Sequence, residues 1–315
     1  MRVLRWAALA AGSAFAVSAN ANGIVVNYVG TVPAAAETAF NSVVSAYNAM
    51  FTIDFPVVID VQFNTTSLGS SSTYIGETTY ASWRAQMIAD STAHPWNSYL
   101  AAAIKTLPAT DPIGNGYVEL TFADAEALGY SVPAEPYDSL ITFSKNVTFE
   151  YNGVAASGAY DFKDVAEHEL DEALGIGSAL TGIANGGSLP STYFAEDYFR
   201  YSSSGSRLLT TSSTAAVYFS YNGTTDVAKF NQNNADGDRN DWAYADGNCP
   251  ALSPGPYIQD AIGCTNSAVI LTIHSPESIV LQSLGYDLPA PEPASAALLA
   301  GGLAIVVLLR RRLAR

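Results

Sequence analysis

His168, Glu169 and Glu172 are the residues whose types and spacing could do chemistry in this chain. They lie in Asp161-Phe-Lys-Asp-Val-Ala-Glu-His-Glu-Leu-Asp-Glu-Ala-Leu-Gly175, where Phe162, Ala166, Leu170 and Ala173 recur at helical spacing. Such a stripe must face the core of a helix turning about 100° per residue. Asp161, Asp164, His168, Asp171 and Glu172 then fall on the opposite face, with Glu169 at the boundary. Four residues apart, His168 and Glu172 can address one cation. Zn²⁺ accepts carboxylate oxygen and imidazole nitrogen at nearly the same distance, so zinc is the expected cofactor. Glu169 stands beside the pair, placed as the base that takes a proton from a metal-activated water. One imidazole and one carboxylate make a harder, more anionic site than two imidazoles. Weaker zinc affinity or another divalent ion is compatible with it.

A third ligand is not evident from spacing. Of the three histidines, His94 precedes Pro95 in a surface connection and His274 precedes the last predicted helix. His274 and Asp197 are the candidates, although Asp197 is better suited to pair with Arg200 or to cap a turn. Residues 233–241 carry alternating oxygen donors but lack the sixth-position glycine of an EF-hand loop, leaving Ca²⁺ a weaker possibility there than a solvated turn. No G-x-S-x-G elbow and no glycine-rich phosphate loop with a lysine is present.

The elements that must position these residues can be read from periodicity. Residues 23–28 read as a strand and 34–50 as an amphipathic helix. Val57, Ile59, Val61 and Phe63 alternate with polar or smaller residues as a half-buried strand. Residues 68–73 read as a Gly/Ser-rich loop, followed by helices over 79–90 and 96–106. A strand over 117–122 and a helical turn over 123–128 come next. Residues 141–151 read as a strand pair or one bent strand, before the helix of 161–175 that Gly175 ends. Beyond it the sequence turns rich in Ser, Thr, Gly and Asn, with short strands at 216–221 and 268–273 and a last helix over 275–285. The expected class is α+β: a mixed sheet with helices (about 22–178) followed by a loop-rich part (about 179–288).

The chain has 14 basic and 29 acidic residues, a net charge of −15. Six of the basic residues (Arg2, Arg5, Arg310, Arg311, Arg312, Arg315) lie at the two ends, so the part between is more acidic still. That balance repels phosphates and excludes a nucleic-acid partner. Half of the residues are hydrophobic and only 14% are charged, enough for a sizeable core.

Both ends read as addresses. Arg2 and Arg5 precede an apolar run and Ser18-Ala-Asn-Ala21, the pattern of a secretory signal peptide over 1–21 cleaved after Ala21. At the other end Pro289-Ala-Pro-Glu-Pro293 leads into an apolar segment over 294–309 and then Arg310-Arg-Arg-Leu-Ala-Arg315. A membrane segment followed by a basic anchor fits the positive-inside bias. This tripartite end resembles the PEP-CTERM sorting signal of Gram-negative bacteria, with Pro291, Glu292 and Pro293 as its motif. The resemblance implies processing by signal peptidase and an exosortase-type enzyme, with release to the envelope or exterior. The membrane is then a partner only through the C-terminal segment before processing. In such a compartment Cys249 and Cys264, the only cysteines, are expected to form a disulfide.

The helix itself is similar to the H-E-x-x-H helix of zincins, with Glu172 in place of the second histidine. The segment resembles a family of secreted bacterial zinc metalloproteases, some with PEP-CTERM tails, whose core reads D-F-x-x-V-A-E-H-E-[IL]-x-E-x-[ML]-G. Asp161-Phe162, Val165-Ala-Glu-His-Glu-Leu170, Glu172 and Leu174-Gly175 carry it here. Leu68-Gly-Ser-Ser-Ser-Thr73, Tyr80-Ala-Ser-Trp-Arg84, Asp197-Tyr-Phe-Arg-Tyr201, Asp241-Trp242 and Ser283-Leu-Gly-Tyr-Asp287 extend it over most of 24–288. The resemblance implies a zincin-like (metzincin-like) α+β fold and peptide-bond hydrolysis, with His168 and Glu172 as ligands and Glu169 as base. A metzincin would take its third ligand ten positions after His168, where this chain has Ser178. The alternatives are a catalytically inactive zincin-fold binding or matrix protein of the cell surface and exopolysaccharide, or a metal-binding structural protein.

Overall fold

The computed structural model describes residues 22–153, 157–203, 205–233, 235, 237–243, 257–265 and 267–291, and the backbone of residues 3–5. A three-residue strand β1 (Val3–Arg5) is followed by β2 (Gly23–Tyr28) and helix α1 (Ala34–Met50). The helix forms because Ala36, Phe40, Val43, Val44 and Tyr47 line one face and are buried there. It supplies the crossover that a parallel pair needs, returning the chain to β3 (Pro56–Asn64) with Ile24 opposite Val57. Val57, Ile59 and Val61 of β3 are fully buried and alternate with half-buried neighbours, as the sequence pattern requires.

β4 (Gly69–Thr73) and β5 (Ile75–Thr79) follow, separated only by Tyr74. The expected loop over 68–73 is therefore a strand. Its backbone is satisfied by antiparallel pairing with β7, and its small residues let a helix approach closely. Then come α2 (Tyr80–Ala93), α3 (Ser98–Thr106), β6 (Tyr117–Thr121), α4 (Phe122–Ala127) and β7 (Ser139–Ser144). The expected strand over 141–151 is β7 plus a separate β8 (Phe149–Glu150). β8 pairs not with β7 but in parallel with β9 (Tyr160–Asp161), directly before helix α5 (Phe162–Leu174). The loop-rich part holds β10 (Tyr193–Phe194), a 3-10 turn (Glu196–Phe199), β11 (Arg200–Tyr201), β12 (Tyr218–Phe219), β13 (Ala228–Lys229) and α6 (Pro276–Leu284). No strand forms over 268–273; Ile270 and Ile273 are exposed, Leu271 is buried in the core and Val269 is half-buried against it.

One sheet has the order β2-β3-β7-β4 and a second the order β1-β5-β6-β10, while β11-β12-β13 make a third, antiparallel one. The first two are joined where the chain bends at Tyr74, which donates to Asp138 O and accepts from Phe122 N. The architecture is α+β with mixed sheets. One contiguous core runs from Ile24 to Tyr286. Its centre is an aromatic cluster in which Phe143 and Phe162 rings lie 4.5 Å apart, with Phe63 and Phe149 against them. That cluster fixes the N-terminal half of α5 against the first sheet.

Most of residues 1–21 and all of 292–315 lie outside the described residues, so the leader, Glu292, Pro293 and the apolar segment over 294–309 do too. The expected Cys249–Cys264 disulfide involves Cys249, which is likewise outside them. Among the described residues no helix is long and apolar enough to cross a membrane.

Candidate metal centre

Helix α5 begins at Asp161, whose carboxylate accepts from Lys163 N at 3.0 Å, and ends at Gly175, whose φ of 145° favours glycine. Phe162, Ala166, Leu170 and Ala173 are fully buried, as the periodicity predicts. Asp171 is not on the opposite, polar face. It is fully buried against α1 and accepts from Tyr47 Oη at 2.8 Å. The helix is enclosed on more than one side, and burial holds the Asp171 carboxyl well above the usual range.

His168 and Glu172 converge as the spacing predicts, with Nε2 and Oε1 3.9 Å apart. A third group joins them: Asp241 Oδ1 stands 3.7 Å from His168 Nε2. The three donor atoms lie within 4.8 Å of one another. His168 Nδ1 is 2.9 Å from the Ile258 carbonyl, which can only accept, so Nδ1 carries a proton and Nε2 is the nitrogen that faces the carboxylates. Glu172 is held at both oxygens, by Ser71 Oγ at 2.7 Å and Asn240 Nδ2 at 3.1 Å. Asp241 Oδ2 accepts from Asp238 N at 2.7 Å, leaving Oδ1 for the centre and for Asn240 Nδ2 at 3.2 Å. His168 and Glu172 remain 20% and 14% exposed, so solutes can reach them.

Glu169 is buried beside this group. It packs so tightly on β4 that a Cβ at Gly69 would stand 2.2 Å from its Oε1. Its Oε2 is buried and has no hydrogen-bond partner among the described residues. Burial, then the charges of Glu172, Asp241 and Asp238, raise its pKa well above the usual carboxylate range. Burial, then Glu172 and Asp238, do the same to Asp241. The strongest neighbouring charges on both groups are carboxylates, an arrangement that a cation stabilises and its absence penalises.

No family model, curated protein or solved structure matches the chain.

The two expected candidates for the third ligand are elsewhere. Asp197 is fully buried within the 3-10 turn, where it accepts from Ser178 Oγ at 2.6 Å and from Ala179 N, and pairs with Arg200 at 3.7 Å. His274 is exposed, with its amide on Thr272 Oγ1. His94, expected in a solvated connection, caps the C-terminal end of α2 and pairs with Asp90 at 2.7 Å and with Asp287. The proposed calcium loop is drawn toward the centre instead: Asn240 and Asp241 serve the His168 group, and Asn234 and Asp236 lie outside the described residues.

Asp241 was missed because it follows His168 by more than seventy residues and comes from a loop. The available signal was the Asp241-Trp242 pair. Trp242 is buried against Phe230 and donates from Nε1 to Glu277 Oε1 at 2.8 Å, which pins the preceding residue. The same Glu277 oxygen accepts Gln259 N at 3.0 Å, beside the Ile258 carbonyl that holds His168. One carboxylate on α6 thus anchors both loops that complete the centre. A cavity of about 170 Å³ opens on its His168 side, lined by Gly69, Glu169, Asp241 and Asp260. Another of about 390 Å³ opens on the Glu172 side.

Proposed function

We propose that the chain is an exported zinc-dependent endopeptidase of zincin-like fold, in which His168, Glu172 and Asp241 hold the ion and Glu169 is the base. The observation that carries the reading is the convergence of one imidazole oriented by its Nδ1 hydrogen bond and two carboxylates next to a third, buried carboxylate with an oxygen that has no partner among the described residues. Such a donor set fits a catalytic zinc site, which pairs three N/O ligands with an open position. When bound, the cation polarises a substrate carbonyl and acidifies water. Glu169 accepts the proton released there and returns it to the leaving amine. Burial favours that role, because a carboxylate kept from bulk water holds a proton more firmly until it is passed on. Ser71 and Asn240 keep Glu172 from rotating, and the Ile258 carbonyl orients His168 through Nδ1. The address-like ends support export. The resemblance to secreted metalloproteases over most of residues 24–288 supports the peptide bond as the target.

The test is hydrolysis of a casein-type substrate by the purified chain. Activity should require a divalent ion and disappear with a chelator. Glu169→Gln should lower kcat by about 10²- to 10⁴-fold at unchanged zinc content. Normal turnover by that variant would overturn the assignment of the base, and a chain that binds no zinc would overturn the whole reading.

A further inference from the structure

The cavity beside Glu172 has a definite chemistry. In the antiparallel register of β5 and β6, Ile75 faces Thr121 and Glu77 faces Glu119. Ile75, Thr121 and Glu119 therefore share one side of the sheet, and all three line the cavity. Ile176 and Phe194 add apolar wall, and Asp238 and Glu172 bring its carboxylates to three. Glu119 is 7% exposed, and one of its oxygens accepts from Thr192 Oγ1. Burial raises the pKa of Glu119, the Thr192 hydrogen bond opposes that shift, and the charges of Glu77 and Asp197 add to it. No lysine or arginine is among the described residues that line the cavity. At about 390 Å³ it lies near the lower end of ligand pockets and suits one long side chain. Because it shares Glu172 and Asn240 with the metal centre, it borders the place where a bond would be cut.

We infer that this cavity binds a lysine or arginine side chain of the substrate next to the scissile bond, with Glu119 as its counter-ion and Ile75, Ile176 and Phe194 around its alkyl stem. A carboxylate that meets a cation away from water makes a charge-assisted hydrogen bond, roughly twice as strong as a neutral one. Asp238 lies at the same cavity and adds to the attraction. The identity of the occupant as a peptide side chain rests on the endopeptidase reading above; the cation pocket itself is tested separately.

The experiment uses the zinc-loaded full chain and a peptide series in which one position flanking the bond is Lys, Arg, norleucine or Glu. It is paired with calorimetric titration of n-butylguanidinium as a probe that needs no turnover. Lysine and arginine peptides should exceed the norleucine peptide in kcat/KM by about 10- to 100-fold, with the glutamate peptide slowest. Glu119→Gln should collapse the lysine-to-norleucine ratio to within about threefold and abolish butylguanidinium binding. Hydrolysis of all four peptides at similar rates, with the probe unbound by the wild type, overturns the pocket and leaves the endopeptidase standing. No hydrolysis of any peptide, with the probe bound by the wild type and lost in Glu119→Gln, overturns the endopeptidase and keeps a cation pocket. If Glu119→Gln does not fold, the wild-type series and the probe still decide.

Discussion

The contact between Gly69 and Glu169 allows the proposed base to be displaced without touching a proposed metal ligand. In Gly69→Ala the new Cβ would stand 2.2 Å from Glu169 Oε1 and 2.9 Å from both Cδ and Cγ, whereas ordinary contact begins at 3.4 Å. The carboxylate must therefore retreat by about 1 Å, and a misplacement of that size costs about 100-fold in rate. Gly69 sits in an extended strand, so alanine adds no backbone strain there. Overpacking typically costs about 1–3 kcal/mol of stability, and the flexible end of Glu169 takes up much of it. Glu172 keeps its own supports on Ser71 and Asn240, so zinc should stay bound. Peptide hydrolysis, zinc per chain and melting temperature would be measured on one preparation. The expectation is kcat lowered about 100-fold with zinc and fold retained. Activity within a factor of about two of the wild type would refute the placement of the base. Zinc lost in step with activity would refute the separation of base from ligands.

Two other predictions concern the ligand set and the acid balance. Asp241→Asn keeps an oxygen for Asp238 N but removes the charge, and zinc affinity in a competitive chelator titration should weaken about 100-fold or more; unchanged affinity would remove Asp241 from the ligands. Glu126 is half-buried, and burial followed by the charge of Asp138 pushes its pKa from 4.5 up to about 7. Between those values the folded chain binds the proton more firmly than the unfolded one, so this group makes stability fall as pH rises from about 4.5 to about 7, and stay lower above. Taken in full the shift is worth about 3 kcal/mol, and exposure reduces it to about 1 kcal/mol. Glu126→Gln should raise the melting temperature by about 3 °C at pH 8 and leave it unchanged at pH 4. Equal effects at both pH values would contradict that origin.

The first half of the fold was legible because its segments carry strong periods. The strand of 23–28 and the helix of 34–50 coincide with β2 and α1, and the helix of 161–175 is α5 with its cap residues. The strand Gly69–Thr73 was hidden because Gly and Ser signal a loop, whereas here they serve an edge on which Glu169 and Glu172 pack. Asp171 was misplaced because one helical stripe cannot reveal a second buried side; only α1 with Tyr47 does. Of the candidate site, His168, Glu169 and Glu172 were readable from spacing on one helix. Asp241 was not, since loops bring residues together through tertiary hydrogen bonds rather than by any period.

The shared anchor on α6 also sets a timetable. Asp241 and the Ile258 carbonyl reach His168 through loops fastened to Glu277, close to the end of the described chain. Long-range closures of this kind form late, after the local contacts of α1, α5 and the first sheet. A growing polypeptide that has not yet presented α6 therefore lacks the fastening for two sides of the constellation. The candidate centre, on this view, is completed only once α6 has docked.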